Sequence, residues 1–147
     1  MKHTLIHAGP SVNDPFLFNV VIGTDLGEFS GTVRCREEDQ STISTYFGLE
    51  LAEMKAEIAY LRAKKRDLKA QRKALADFWR DMFDTRTYEE GAFWVTKIMM
   101  RITELDKQIT AASKAISAMK EAYHQKIVTR DASVQKIGKY MKRGLEE

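Results

Sequence analysis

The chain has 147 residues, 44% of them hydrophobic and 31% charged, with a net charge of +3. That length and balance fit one soluble domain rich in exposed helix and exclude wholesale disorder. No apolar run approaches the roughly 20 residues that span a bilayer, and Met1-Lys2-His3-Thr4 does not begin a secretory signal, so a cytoplasmic protein with no membrane association is expected.

Residues 1–40 read as a small β unit. Thr4 to His7 is a candidate short strand ahead of the Gly9-Pro10 break. Phe16 to Ile22 is a β-branched and aromatic run, and Gly23-Thr24-Asp25-Leu26-Gly27 has the glycines of a tight connection. Glu28 to Arg36 then alternates, with Phe29, Val33 and Cys35 against Glu28, Thr32, Arg34 and Arg36, as a strand with one wet face does. A two-stranded hairpin is marginal alone, so the helices or another copy of the chain must cover its apolar face. The single cysteine, Cys35, cannot close an internal disulfide. It reads as a small buried hydrophobe, with a reactive thiol beside Arg34 and Arg36 as the alternative. His3, His7 and His124 show no metal-ligand spacing beyond the His3/His7 pair, so no metal site and no cofactor are expected.

Glu37-Glu38-Asp39 with Ser41 and Thr42 suits a helix start, and Gly48 leaves its first turn open. Helix A, over 41–84, carries a heptad stripe of Leu51, Met54, Ile58, Leu61, Leu68, Leu75, Trp79 and Met82, in which Lys65 and Arg72 hold the two missing seam positions. After a break near Asp84 to Thr87, Thr87-Tyr88-Glu89-Glu90 makes a capping box for helix B, over 87–126. Its stripe is Ile98, Ile102, Leu105, Ile109, Ala112, Ile116, Met119 and Tyr123. The β-branched Ile127-Val128-Thr129 marks its end, and in the tail, 127–147, Asp131 or Ser133 can cap a last short helix that closes at Gly144. The expected fold is therefore α+β, a single domain: a small N-terminal antiparallel hairpin or sheet, a long antiparallel helical hairpin, and a short C-terminal helix.

Two helices bury only one stripe each, yet Ala52, Ala56, Ala59, Ala63, Ala70 and Ala74 form a second row on helix A, and Ala111, Ala115, Ala118 and Ala122 form one on helix B. Small residues at that spacing admit a further helix, which implies a homo-oligomer. The alternative is that these rows face water, alanine being the best helix former.

The charge is unevenly spread. Residues 1–40 hold three cations and six acids, whereas 41–147 hold twenty-one and fifteen, so the helical part is the cationic part. Arg62, Lys64, Lys65, Arg66, Lys69, Arg72 and Lys73 crowd around Asp67, which suggests an anionic partner or a solvated face. The compensating acids and the modest total argue against nucleic acid.

No glycine-rich phosphate loop, nucleophile elbow or histidine-activated nucleophile is present, so the chain reads as a non-enzyme. Binding has better candidates. Phe78, Trp79, Phe83, Tyr88, Phe93 and Trp94 surround the bend with Arg80, Arg86 and Arg101 interleaved, offering stacking faces and bidentate anion contacts, or else a plug for the end of the hairpin. Phe93 and Trp94 are adjacent, so both cannot face one seam. A charge on the seam must snorkel, pair or meet an anion. A turn near residue 86 sets Lys65 across from residue 107, close to Asp106 and Glu104, and sets Arg72 beside Met100 and Arg101, where no acid waits; Arg72 is the better anion-binding candidate of the two. Arg130 and Asp131 fall at a helix start, where unpaired N–H groups favour an anion, or where Asp131 simply caps. The tail lies at the β-unit end of the hairpin, so a pocket joining it to the bend aromatics must form between chains.

The β hairpin ending in Thr32-Val33-Arg34-Cys35-Arg36-Glu37-Glu38-Asp39, the run Tyr46-Phe47-Gly48 to Leu51-Ala52-Glu53-Met54-Lys55-Ala56, the basic stretch Tyr60-Leu61-Arg62 to Arg66, and Arg130-Asp131 together resemble small phage proteins of the anti-Thoeris sponge type. The resemblance implies a small sheet followed by two long helices, in an oligomer that sequesters a cyclised ADP-ribose signal in the host cytoplasm without cleaving it. Some members of that type also resemble sponges for cyclic oligonucleotides. Of the residues such proteins use, only the Arg130-Asp131 pair carries over. The expectation is thus a non-enzymatic homo-oligomer that binds a small anionic cyclic nucleotide through Arg130, Asp131, Arg72, Phe93, Trp94, Arg101 and Lys65 and so counters host immune signalling. The alternative is a helical structural or interaction protein, as in phage assembly.

Overall fold

A computed structural model describes residues 3–11, 13, 14, 16–34, 42–85 and 88–146; at 42–46, 83–85, 88–93 and 130–146 it describes the backbone alone. Three antiparallel strands, β1 (Thr4–Pro10), β2 (Leu17–Thr24) and β3 (Gly27–Arg34), pair in the order β1-β2-β3. Two helices follow, α1 (Thr42–Thr85) and α2 (Tyr88–Glu146). The arrangement is α+β, a sheet and then a helical hairpin, as the sequence pattern leads one to expect. Among the described residues no helix is long and apolar enough to cross a membrane.

The sheet follows its side-chain alternation. Phe18, Val20 and Ile22 are buried and stand opposite Val33, Gly31 and Phe29, so one face of β2 and β3 is apolar while Glu28, Ser30, Thr32 and Arg34 are exposed. The β2–β3 connection is two residues long. Asp25 and Leu26 keep negative φ, and the positive φ falls on Gly27 at 111°, with Thr24 Oγ1 accepting from Leu26 N at 3.2 Å and donating to Gly27 O at 2.8 Å. β1 is longer than the expected Thr4-to-His7 strand and runs through Gly9 to Pro10, which is tolerated because it ends an edge strand. The register slips between Leu5 and His7. The β1–β2 link is tightened at Asp14, whose carboxylate accepts from Phe16 N at 3.0 Å and pairs with Arg34 at 3.1 Å.

α1 crosses the apolar face of the sheet. Its point of closest approach is Gly31: a Cβ there would lie 1.9 Å from the Ala52 carbonyl oxygen and 2.7 Å from Ala56 N. Ala52 and Ala56 have no exposed surface and form one core with Val20 and Ile22, flanked by Phe29, Val33 and Leu49. The front of the alanine row is therefore covered by the sheet and not by a further helix, while Ala70, Ala74, Ala118 and Ala122 are exposed in the single chain. Both helical stripes pack as read. Leu51, Ile58, Leu68 and Met82 on α1 and Ile98, Leu105, Ala112 and Ile116 on α2 are buried, and the remaining stripe residues are half-buried.

Two expectations need correction. The hairpin is centred further along than residue 86: residue 89 lies midway between the paired Arg72 and Asp106, and residue 88 midway between Glu50 and its partner Lys126. The separate C-terminal helix is not supported, since α2 continues through Ile127, Val128 and Thr129. β-Branched residues lower helix propensity by only a few tenths of a kcal/mol each, roughly, and no proline or glycine accompanies them to stop the helix. Cys35, Ser41 and Thr87 lie outside the described residues, and with them the thiol and the capping box; so does the side chain of Thr42.

Candidate functional site

The shift in hairpin register decides which side chains meet. Lys55 stands across from Tyr123, its ammonium 5.8 Å from the ring centroid, and Ile58 comes near Lys120. Together with Ser30, Gly31 and Thr32 of β3 and Ala59 and Arg62 of α1, they line an open groove of about 450 Å³. That volume falls within the range of small-molecule sites.

The groove has a simple construction. Lys55, Ala59 and Arg62 recur at helical spacing along one stripe of α1, and Lys120 and Tyr123 face them from α2. β3, the edge strand on this side of the sheet, closes the third side. Lys55 donates to the Thr32 carbonyl at 3.2 Å, which steadies its stem and leaves further N–H donors on the same ammonium. Ile58, Ala59 and the ring of Tyr123 form the apolar floor. Three cations and no carboxylate line it, and Arg62 and Lys120 have no ion pair among the described residues. An aromatic face between cations over an apolar floor is equipment for a flat ring bearing phosphate.

The residues singled out from sequence are spread more widely. Arg72 is exposed and its Nε donates to Asp106 Oδ1 at 2.6 Å, so the expectation that it faces no acid is corrected; the later centre of the hairpin brings Asp106 to it. Lys65, expected to pair near Asp106, is half-buried on the seam with no ion pair among the described residues. Trp94 is 38% exposed, with Lys97 5.7 Å from its ring centroid, and Arg101 is exposed. The side chains of Phe93, Arg130 and Asp131 lie outside the described residues. Arg130 and Asp131 fall inside α2 rather than at a helix start, so unpaired first-turn N–H groups are not what surrounds them.

Lys55, Lys120 and Tyr123 escaped sequence reasoning as a group. Arg62 belonged to the cationic cluster and Tyr123 to the α2 stripe, but their meeting depends on a hairpin centred two to three residues later than residue 86, which shifts the facing residues by four to six. The spacing Lys55–Ala59–Arg62 was the available signal.

Comparison with family models, with curated proteins and with solved structures gives no match.

Proposed function

We propose that the protein binds a small anionic cyclic nucleotide without turning it over, and that the groove between β3, α1 and α2 is where it does so. The observation that carries this reading is the lining itself: Lys55, Arg62 and Lys120 around the ring of Tyr123, with no acid among them. Cations hold phosphate, the ring stacks on a base, and the lining offers no nucleophile with an activating base. A binder that does not cleave its ligand acts by sequestration. The resemblance to anti-Thoeris sponges names the class of signal, a cyclised ADP-ribose, and gives the act its purpose, withdrawing a host immune signal. Arg130 lies seven residues beyond Tyr123 in the chain, so the pair implied by that resemblance and the groove belong to the same stretch of α2.

The test is thermal melting of the protein against cyclic ADP-ribose isomers, cyclic di- and trinucleotides, and linear ADP-ribose. Ligand at 100 times its dissociation constant adds about 2.7 kcal/mol to the folded state. The expected result is a selective rise in Tm that Arg62→Ala and Lys120→Ala abolish, with the ligand recovered intact after denaturation. No shift across the panel sinks the reading.

A second reading rests on a separate observation. Near the bend, Phe78, Trp94, Met99 and Met100 are exposed by 51%, 38%, 52% and 68%. Large apolar side chains gathered at one end suit a protein partner or another copy of the chain, in line with a structural or interaction role. A cross-linked or co-purifying assembly lost on Met100→Glu, with no nucleotide effect on melting, would favour it.

A further inference from the structure

On the opposite flank of α1 from the groove, Glu53 and Glu57 occupy successive turns, and the residue just before β1 reaches both. His3 Nε2 lies 2.7 Å from Glu53 Oε1, and His3 Nδ1 lies 3.6 Å from Glu57 Oε1. The side chains of His3 and Glu57 are only 13% and 18% exposed.

The short contact to Glu53 assigns the proton. Nε2 donates to that carboxylate, and in a neutral ring so arranged the lone pair sits on Nδ1. That nitrogen is buried and has no hydrogen-bond partner among the described residues. It faces Glu57 Oε1 at 3.6 Å, too far for a hydrogen bond and wide enough for an ion between them. Two like charges at i and i+4 in a half-buried place are themselves unfavourable. A cation held among the imidazole and the two carboxylates relieves both.

We infer that His3, Glu53 and Glu57 form a site for one divalent transition-metal ion of the zinc type. One ligand atom from each residue lies within 4.8 Å of the others. Two ligands on a tetrahedral zinc, each about 2.0–2.1 Å from the metal, stand about 3.3 Å apart, close to the separation of Nδ1 from Glu57. An imidazole with two carboxylates favours Zn²⁺ or Mn²⁺ over Mg²⁺ and Ca²⁺, which prefer oxygen alone, and over Cu⁺, which prefers sulfur. To ligate the same ion the Glu53 carboxylate must turn from Nε2 towards Nδ1, and the three protein ligands then leave a coordination position open to water. The ion ties the start of β1 to α1, so its first effect is on stability.

The experiment is calorimetric titration of the tag-free protein with Zn²⁺ at neutral pH, alongside melting curves. One equivalent should bind and raise Tm. Glu57→Gln, nearly isosteric, should weaken binding by at least about tenfold, the smaller loss seen even for outer partners of metal ligands, and should abolish the rise in Tm. His7→Ala and His124→Ala should change neither. For the unaltered chain, histidine ring signals in NMR give an independent reading: Zn²⁺ should move those of His3 and leave the other two. Absence of binding overturns the inference, as does binding that Glu57→Gln leaves intact or that shifts His7 or His124 instead; in that case the three side chains are an ion-paired clasp and nothing more.

Discussion

The two halves of α1 are built from one sequence pattern and held in two different ways. Between Glu53 and Tyr60 the helix is tied to the β unit by three side chains within about two turns: Glu53 to His3, Lys55 to the Thr32 carbonyl, and Tyr60 to Asp25. Beyond Arg62 the tie is Arg72 to Asp106 on α2, and both partners are exposed. The alanines show the same contrast, Ala52 and Ala56 with no exposed surface, Ala70 and Ala74 open in the single chain. A small residue on a helix permits close approach, but what approaches is decided elsewhere in the chain. Here it is Gly31, the position in β3 that lets two backbones meet.

The largest test of that contrast is Gly31→Ala. The new methyl would sit on the Ala52 carbonyl, a backbone atom that no rotamer change can move, so β3 and α1 must separate. A loss of about 3 kcal/mol is expected in urea denaturation. Ala74→Ser, in the exposed half of the same helix, should cost about 0.5 kcal/mol or less. Equal costs would break the comparison. The groove should suffer with Gly31→Ala, since Gly31 lies in its wall.

A smaller effect is expected from Tyr60→Phe. The phenol donates to Asp25 Oδ1 at 2.6 Å and its ring meets Phe29 edge-on at 5.7 Å, so α1 holds the tip of the β2–β3 hairpin. Loss of the hydroxyl keeps the ring packing and should cost about 1 kcal/mol. The pH dependence sharpens the assignment. The hydrogen bond to Asp25, then burial, then the Asp25 charge push the Tyr60 phenol up to about 12. The folded value stands above the unfolded one of about 10, so the stabilisation is fully present below about pH 10 and lost as pH rises through the folded value. Melting curves taken across that window should show an alkaline limb that Tyr60→Phe flattens.

Much of the fold was legible because it rests on local periodicity. The apolar stripes of both helices, the alternation of Phe29 and Val33, and the turn at Gly27 are each written within a few neighbouring residues, and each appears where the pattern places it. What was not legible depends on register between distant segments. The true centre of the hairpin gives Asp106 to Arg72 and Tyr123 to Lys55, and no local pattern encodes it. His3 meeting Glu53 and Glu57 is harder still, because three strands intervene between ligands that share no spacing. The continuity of α2 past Thr129 shows the converse error, a weak local preference read as a stop where a helix with no breaker simply continues.

The smallest effect should come from the far half itself. Arg72 and Asp106 are respectively 44% and 51% exposed, so solvent screens their attraction, and their coupling in a double-mutant cycle should be about 0.5 kcal/mol and fall with salt. Such a value would leave the hairpin register to the buried stripe, with Leu105 at its centre fully enclosed. A coupling well above that would mean the pair selects the register, and Asp106→Asn should then let the helices slide. Because the groove exists only in this register, the same variant should weaken any ligand held by Lys55 and Tyr123 without touching a lining residue. A loss of binding at constant helicity would therefore connect the two halves of α1 after all.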